Sequence, residues 1–285
     1  MYTSEFAYKK ASSVAEALSL LQQHPDAKLL AGGHSLIPTM KLRLAAPSAL
    51  IDISKVSELR GVRRDGDHLV IGAMTTYSEL ETSDLLKQHC PIIPQAVHLI
   101  GDPMVRAKGT IGGSLAHADP AADLPASMLA LDAKIKIQGP GGAKIVDIDH
   151  FFTGMFSTAV GHGEILTEVH IPIGGSAQAP APARRMAYAK FPHPASRYAV
   201  VGVAVVIGPG GLRAAVTGAG EHAMRLTQLE QALAGKPLTL ENISAACQGL
   251  LPSDHLNHDL VASKEYRAHL VDVMAKRALL QAAGL

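Results

Sequence analysis

The sequence predicts an α+β protein. Two small subdomains, residues 1–57 and 58–175, lead through a linker at 176–183 into a C-terminal α+β domain, residues 184–285, with an antiparallel sheet and helices. Three observations predict it. Helical periodicities alternate with short β-branched runs through the first part of the chain. Gly174 to Ala183 then gathers glycine, serine, alanine and proline, and beyond it strand-like apolar runs come first and helical ones last. At 285 residues and 47% hydrophobic composition, the chain can bury more than one core.

The elements follow in order. Ser13-Val14-Ala15-Glu16 has capping-box spacing, and Val14, Ala17, Leu18 and Leu21 continue it as a helix up to His24-Pro25. Lys28 to Ala31 reads as a short strand feeding a glycine turn, with Ser35 a candidate cap for a brief helix near Pro38. Ala49 to Ile53 is a second strand that closes the first unit. A charged turn, Arg63 to Asp67, precedes a strand from His68 to Met74. Thr76-Tyr77-Ser78-Glu79 is another capping box, opening a helix expected to reach His89 before Cys90-Pro91 ends it. A further apolar helix spans Ile92 to Ile100.

Ile135 and Ile137 alternate with lysines, and Ile145, Ile148, Phe151 and Phe152 follow a glycine-rich turn, so this region reads as strands. Glu164 to Ile173 is the last strand before the linker. Met186–Phe191, Tyr198–Ile207 and Leu212–Gly218 are expected to pair antiparallel. Helices follow at Thr227–Leu233, capped by Thr227 with Glu230, then at Glu241–Leu250 and Ser263–Ala283.

The chain is organised around the run from Gly109 to Asp123, Gly-Thr-Ile-Gly-Gly-Ser-Leu-Ala-His-Ala-Asp-Pro-Ala-Ala-Asp. Its first half is small and permissive, so a backbone can approach a ligand closely, and Thr110 and Ser114 add hydroxyls. In its second half Asp119 can cap a helix with Pro120 and Pro125 in the first turn and Leu124, Met128, Leu129 and Leu131 as its apolar series. On its own a double glycine is a tight turn before a core helix. Here the chemistry occurs twice, because Leu29-Leu30-Ala31-Gly32-Gly33-His34-Ser35-Leu36-Ile37-Pro38 repeats it earlier in the chain. Two such loops face to face would grip a diphosphate through backbone N–H groups. There is no Gly-x-Gly-x-x-Gly after a strand and no P-loop, so neither common nucleotide fingerprint is supported.

Composition narrows the function classes. The formal net charge is +1 with Lys and Arg scattered, which gives no electrostatic case for nucleic acid or an acidic membrane surface. No stretch reaches about 18 uninterrupted apolar residues and the N-terminus lacks an apolar leader, so a soluble, cytoplasmic protein without membrane insertion is expected. Cys90 and Cys247 are the only cysteines, in no paired motif, which fits a reducing compartment. An iron–sulfur cluster takes about four cysteines, so any cluster this chain exchanges electrons with belongs to another subunit. His255 and His258 beside Asp254 and Asp259 read as a polar surface turn, and no metal is expected.

Together, Ala31 to Leu36, Val105-Arg106 and Gly109 to Asp123 resemble the FAD-binding medium subunits of molybdenum hydroxylases, the xanthine dehydrogenase and aerobic carbon monoxide dehydrogenase family, and the similarity covers the whole chain. The resemblance implies a two-subdomain FAD-binding domain of the PCMH or vanillyl-alcohol-oxidase-like type. It implies that Leu29, Leu30, Ala31, Gly32, Gly33, His34, Ser35 and Leu36, with Thr110, Ile111, Gly112, Gly113 and Ser114, wrap the FAD diphosphate and the flavin edge. Asp123 would accept hydrogen bonds from the adenosine half or nearby backbone, or else serve its own helix. His117, Ile100, Leu166, Lys190 and Tyr198 match further positions near the cofactor, Lys190 as a positive charge beside flavin or phosphate oxygens and Tyr198 as a movable ring packed on the flavin.

Gly-Gly-His-Ser also resembles the site at which some related flavin oxidases bond FAD to histidine, but the second motif points to non-covalent FAD. The implied partners are a large molybdopterin subunit and a small subunit with 2Fe–2S clusters, in a heterohexamer-type assembly, with NAD, oxygen or another acceptor taking the electrons. Two other readings compete, a stand-alone FAD-dependent oxidase or dehydrogenase and a flavin-free assembly protein. The first needs a base over the ring, for which the C-terminal part offers no candidate, and the second conflicts with the two intact glycine motifs.

Overall fold

Strand β1 (Ala7–Lys10) leads into α1 (Val14–Gln23), whose N-cap Ser13 accepts a hydrogen bond from the Glu16 amide. In this computed structural model, which describes residues 1–174 and 184–285, the expected linker at 176–183 lies outside the described residues. Ala17 and Leu21, one turn apart on α1, pack onto the parallel sheet formed with β2 (Lys28–Leu30) and, after α2 (Leu36–Lys41), β3 (Ala49–Asp52). The central position of β3 follows from its sequence, since all four residues are buried.

The next layer opens with the hairpin β4 (Val62–Asp65) and β5 (His68–Gly72), which turns at Gly66 with φ +60. Short helices follow: α3 (Tyr77–Thr82), α4 (Asp84–His89), α5 (Ile92–His98), α6 (Pro103–Arg106), α7 (Ile111–His117) and α8 (Asp123–Ala130). The chain then returns through β6 (Lys134–Gly139), β7 (Gly142–Asp147), the small hairpin β8 (Phe152–Gly154) and β9 (Ser157–Thr158), and β10 (Ile165–Pro172). The resulting antiparallel sheet has the order β4-β5-β10-β6-β7. Ile135 and Ile137 turn to the helices while Lys134 and Lys136 turn away, as period-two alternation requires.

From Arg185 onward, β11 (Arg185–Pro192), β12 (Ala199–Gly208), β13 (Gly211–Thr217) and β14 (Met224–Arg225) form an antiparallel sheet in chain order. It carries α9 (Thr227–Leu233), α10 (Leu240–Ala246) and the long α11 (Lys264–Ala283). The apolar run of β12 is buried on both faces. Ala204 and Val206 join the core that holds α8, while Val203 and Val205 join the one that holds α11. Helix α8 is buried at every position, so the end of the central motif is locked between two sheets.

Several local expectations are corrected. The helix from Thr76 to His89 is broken at Ser83, which ends α3 and caps α4 through Leu86. Arg63 to Asp65 are strand rather than turn. Ile148–His150 is a single 3-10 turn, not strand, and it seats Phe151 in the core. Ser35 holds the N-cap position of α2 without a side-chain bond. Thr227 does not cap its helix, because Leu226 takes that position and Glu230 instead accepts from the Ala214 amide and pairs with Arg225. The helix expected to reach Leu250 stops at Ala246.

On the outer face of the central sheet, Glu168 accepts from Arg63 at 2.7 Å, His170 at 2.9 Å and Lys136 at 3.1 Å. Burial raises its pKa, but the bonds from Arg63, His170 and Lys136 outweigh that and hold the carboxyl down from 4.5 to about 2. A depressed carboxylate stabilises the fold above its unfolded pKa, and that contribution is lost as pH falls through the folded value. Acid unfolding of the wild type should therefore show about 2 to 3 kcal/mol of extra loss between these two values relative to Glu168→Gln. Equal acid slopes in denaturant titrations of the two proteins would refute the assignment.

Candidate functional site

Strand β2 ends at Leu30 and the chain turns through Ala31 to Ser35 before α2 begins. Gly33 sits at φ +75, the left-handed region that favours glycine. A Cβ on Gly32 would lie 2.1 Å from the Lys108 carbonyl oxygen and 3.1 Å from the Gly109 Cα. The two glycine motifs therefore meet backbone to backbone. Among the described residues, the N–H groups of Gly32, Gly33, His34 and Ser35 have no protein acceptor. Successive unpaired N–H groups around a left-handed residue make an anion-binding concavity.

The second motif behaves differently, and the expectation that both motifs donate N–H groups is corrected. Thr110 caps α7, so the start of the motif is helix rather than loop. Ile111 N–H donates to Thr75 O at 3.1 Å, Gly112 N–H to Ala73 O at 2.8 Å and Gly113 N–H to the Thr110 hydroxyl at 3.1 Å. Its glycines exist for close packing. A Cβ on Gly109 would strike the Tyr77 ring at 2.5 Å, and one on Gly112 would meet the Ala73 methyl at 2.5 Å. Gly113 faces Ala31 of the first motif. Burial pushes the Tyr77 phenol up in pKa. Helix α7 ends at Ala118, left-handed at φ +50. Asp119 then accepts from the Ala121 amide at 2.9 Å, closing a turn, and α8 starts only at Asp123 with Ala122 as its cap. The expected capping role of Asp119 is thus overturned.

Between the motifs lies a cleft of about 780 Å³. Ala31 to His34, Ile37 and Pro38 form one wall, and Thr76, Glu79, Lys108 and Thr110 the other. Its two carboxylates are engaged. Asp52 accepts from the Tyr8 hydroxyl and from Ser54 N–H at 2.7 Å, and Glu79 accepts from Thr76 N–H at 2.7 Å in a complete capping box. Lys41 and Lys108 also line the cleft and, among the described residues, pair with no carboxylate. The cleft therefore offers uncommitted ammonium groups and N–H donors, the chemistry of a phosphate site.

The structure gathers other expected residues into a buried cluster. Asp123, Lys190 and Tyr188 are almost wholly buried. Lys190 Nζ lies 2.8 Å from Asp123 Oδ2 and 3.2 Å from the Leu99 carbonyl, and the Tyr188 hydroxyl donates to Asp123 Oδ1 at 2.5 Å. Burial pushes the Asp123 carboxyl upward from 3.8, against the Lys190 ammonium and the Tyr188 hydroxyl, which favour its charged form. Burial and the adjoining carboxylate push the Tyr188 phenol well up. Tyr188 and Lys190 share one face of β11, and Gly202 makes room for them, since a Cβ there would sit 2.1 Å from the Tyr188 hydroxyl.

Ile100 lies beside Leu99, its carbonyl taken by Arg106 Nη1 at 3.0 Å. Leu166 is buried in β10 within the core. His117 packs against Phe156 with ring centroids 5.1 Å apart. Tyr198 is half exposed at the start of β12, and its hydroxyl reaches the Ser35 side chain of the first motif. Sequence reasoning missed Tyr188, Gly202, Lys41 and Lys108. The signal for Tyr188 was its position two residues before Lys190 in a strand. Among the described residues no group of three or more His, Cys, Asp or Glu side chains suits a metal ion, and no helix is long and apolar enough to cross a membrane.

Comparison with known proteins gives the following. Residues 4–174 match the family described as the FAD binding domain in molybdopterin dehydrogenase, and residues 186–282 match the CO dehydrogenase flavoprotein C-terminal domain. The chain is 39% identical over 285 residues to the carbon monoxide dehydrogenase medium chain of Hydrogenophaga pseudoflava, covering 98% of this chain and 97% of that one. It is 37% identical over 291 residues to the carbon monoxide dehydrogenase medium chain of Afipia carboxidovorans, covering 99% and 98%. Among solved structures, a chain of the Hydrogenophaga pseudoflava carbon monoxide dehydrogenase that lacks the Mo-pyranopterin moiety superposes with a TM-score of 0.92 at 39% identity, covering 100% of this chain and 99% of that one.

The buried pair makes a direct prediction. Asp123→Asn leaves the Lys190 ammonium without its counter-charge and should cost about 3–5 kcal/mol in urea unfolding. Asp123→Asn combined with Lys190→Met should recover much of that loss. A single variant within about 1 kcal/mol of wild type would show that the pair does not hold the motif to the C-terminal sheet.

Proposed function

The chain belongs to the FAD-binding medium subunits of the molybdenum hydroxylase family, and on that premise we propose that it works as the electron-transfer subunit of such a complex. It takes electrons from 2Fe–2S clusters held by a small partner subunit and hands them to NAD, oxygen or another acceptor. A large partner subunit holds the molybdopterin centre and oxidises the substrate. FAD, when bound, supplies a group that accepts electrons singly and releases them in pairs. This chain's residues supply position, charge and insulation.

The observation that carries the reading is the set of N–H groups from Gly32 to Ser35, without a protein acceptor among the described residues, in a loop that lines the cleft and meets the Lys108–Gly109 backbone at Gly32. These donors are the right type for diphosphate oxygens, and the cleft beside them admits the approach. Lys41 and Lys108 complement the phosphate charge from the cleft. Leu29, Leu30, Ala31 and Leu36 shape the loop, while Thr110 and Ser114 present hydroxyls and Ile111 anchors α7 in the core. Ile100, His117, Leu166 and Tyr198 are the proposed surroundings of the flavin. Asp123 and Lys190 act as one unit, a fixed dipole that holds α8 and β11 in register behind the site. His34 is exposed on the loop and forms no covalent bond to the flavin in this reading.

Reconstitution tests it. The wild-type chain titrated with FAD should quench flavin fluorescence at saturation, and acid precipitation should leave the flavin in the supernatant. Gly32→Ala should weaken binding about 100-fold or more, because its methyl forces the two motifs apart. Gly141→Ala, a position with no atom within 4 Å of an added Cβ, should bind like wild type. Equal FAD affinity for Gly32→Ala and wild type would defeat the proposed site.

A further inference from the structure

The hairpin between β11 and β12 carries Tyr198 to the first glycine motif, and its turn is built around one imidazole. His193 Nδ1 accepts hydrogen bonds from the Ala195 and Ser196 amides, both at 3.1 Å. The same residue closes the turn through its backbone. His193 N–H donates to Tyr198 O at 2.7 Å, and Arg197 N–H donates to His193 O at 2.9 Å. Arg197 takes a left-handed conformation at φ +61, so the turn has no slack on that side. One residue beyond Tyr198, Ala199 N–H donates to Ala121 O at 3.1 Å and ties the strand to the tail of the central motif.

We propose that His193 is a positioning residue for Tyr198, capping the turn with an unprotonated Nδ1 so that the phenol is held against Ser35, and releasing it when the imidazole gains a proton. An Nδ1 that accepts two amide hydrogens carries no hydrogen of its own, which fixes the neutral ring as the Nε2–H tautomer. Protonation turns Nδ1 into a donor facing two donors. Both caps are then lost together.

Charged groups of both signs face the imidazole. His193 lines a recess of about 320 Å³ with Tyr198, His258, Asp259 and Arg267. The Asp259 carboxylate stabilises an imidazolium, but it is bound by Arg267 Nη2 at 2.6 Å and by the Val261 and Ala262 amides at 2.9 Å. Arg267 opposes the added charge, as do Arg197 on the turn and His258 when protonated. On the far side Tyr198 faces the carboxylates of Asp119 and Asp123. The inference rests on the proposed function only for what the Tyr198 ring meets there.

The test uses the full chain without added FAD, so its outcome is independent of flavin binding. Amide exchange at Ala195 and Ser196 is followed by NMR from about pH 8 to pH 5, across the range in which imidazoles change charge, and corrected for intrinsic exchange. In the wild type, protection should fall about tenfold as His193 is protonated, reflecting the loss of both bonds. The Tyr198 resonance of chain labelled with 3-fluorotyrosine, assigned through Tyr198→Phe, should shift with the same midpoint. His193→Asn, whose side-chain oxygen can accept the same amides, should keep protection without pH dependence, and His193→Ala should lose it at every pH. Protection that ignores the His193 titration, a fluorine signal that does not follow it, or a His193→Asn protein that titrates like wild type would each overturn the proposal.

Discussion

The contact on which the rest of the molecule depends is the meeting of Gly32 with the Lys108–Gly109 backbone. Neither side offers a side chain there, and none fits, since a single methyl would sit 2.1 Å from a carbonyl oxygen. That approach brings the two motifs together beside the cleft, where, among the described residues, the Gly32 to Ser35 amides have no protein partner. An unpaired run of backbone donors is costly where water is excluded, so its natural complement is an anion. The division of labour follows from hydrogen-bond accounting: the first motif supplies donors, and the second satisfies those of Ile111, Gly112 and Gly113 internally.

A second constraint fixes the motif from behind. Helix α8 is buried on all sides, so its first residue cannot face water, and Asp123 must be paired. Lys190 and Tyr188 supply that pairing from one face of β11, with Gly202 leaving space for the phenol. Such a pair contributes little net stability compared with an apolar replacement, but it is unforgiving of partial loss. It couples the position of the central motif to the C-terminal sheet. The hairpin of that same sheet brings Tyr198 to the first motif, so the C-terminal region touches the site from two directions.

What was legible in the sequence was local. The glycine motifs could be read because their constraints act on the residues themselves, and the Thr76–Glu79 capping box forms with both of its bonds. Thr227 and Glu230 show the same spacing but no box, because Arg225 and the Ala214 amide compete for the glutamate. That competition involves an adjoining strand, which spacing along a helix does not reveal. The acceptors that consume the second motif's N–H groups, Thr75 O and Ala73 O, likewise come from a distant stretch of chain. The strands of the C-terminal sheet were found because a run such as Ala199 to Ile207 admits little else. The partner of Asp123 was not, since a first-turn carboxylate already has a sufficient local explanation.

The most direct test of this account is a backbone amide titration by NMR, in which FAD is added to the isotopically labelled chain and the two motifs are compared. The account predicts large shifts at the Gly32, Gly33, His34 and Ser35 amides, with the Ile111, Gly112 and Gly113 amides retaining their internal partners and moving little. Large shifts at the second set with none at the first would contradict it, and would place the anion on the helix rather than in the loop.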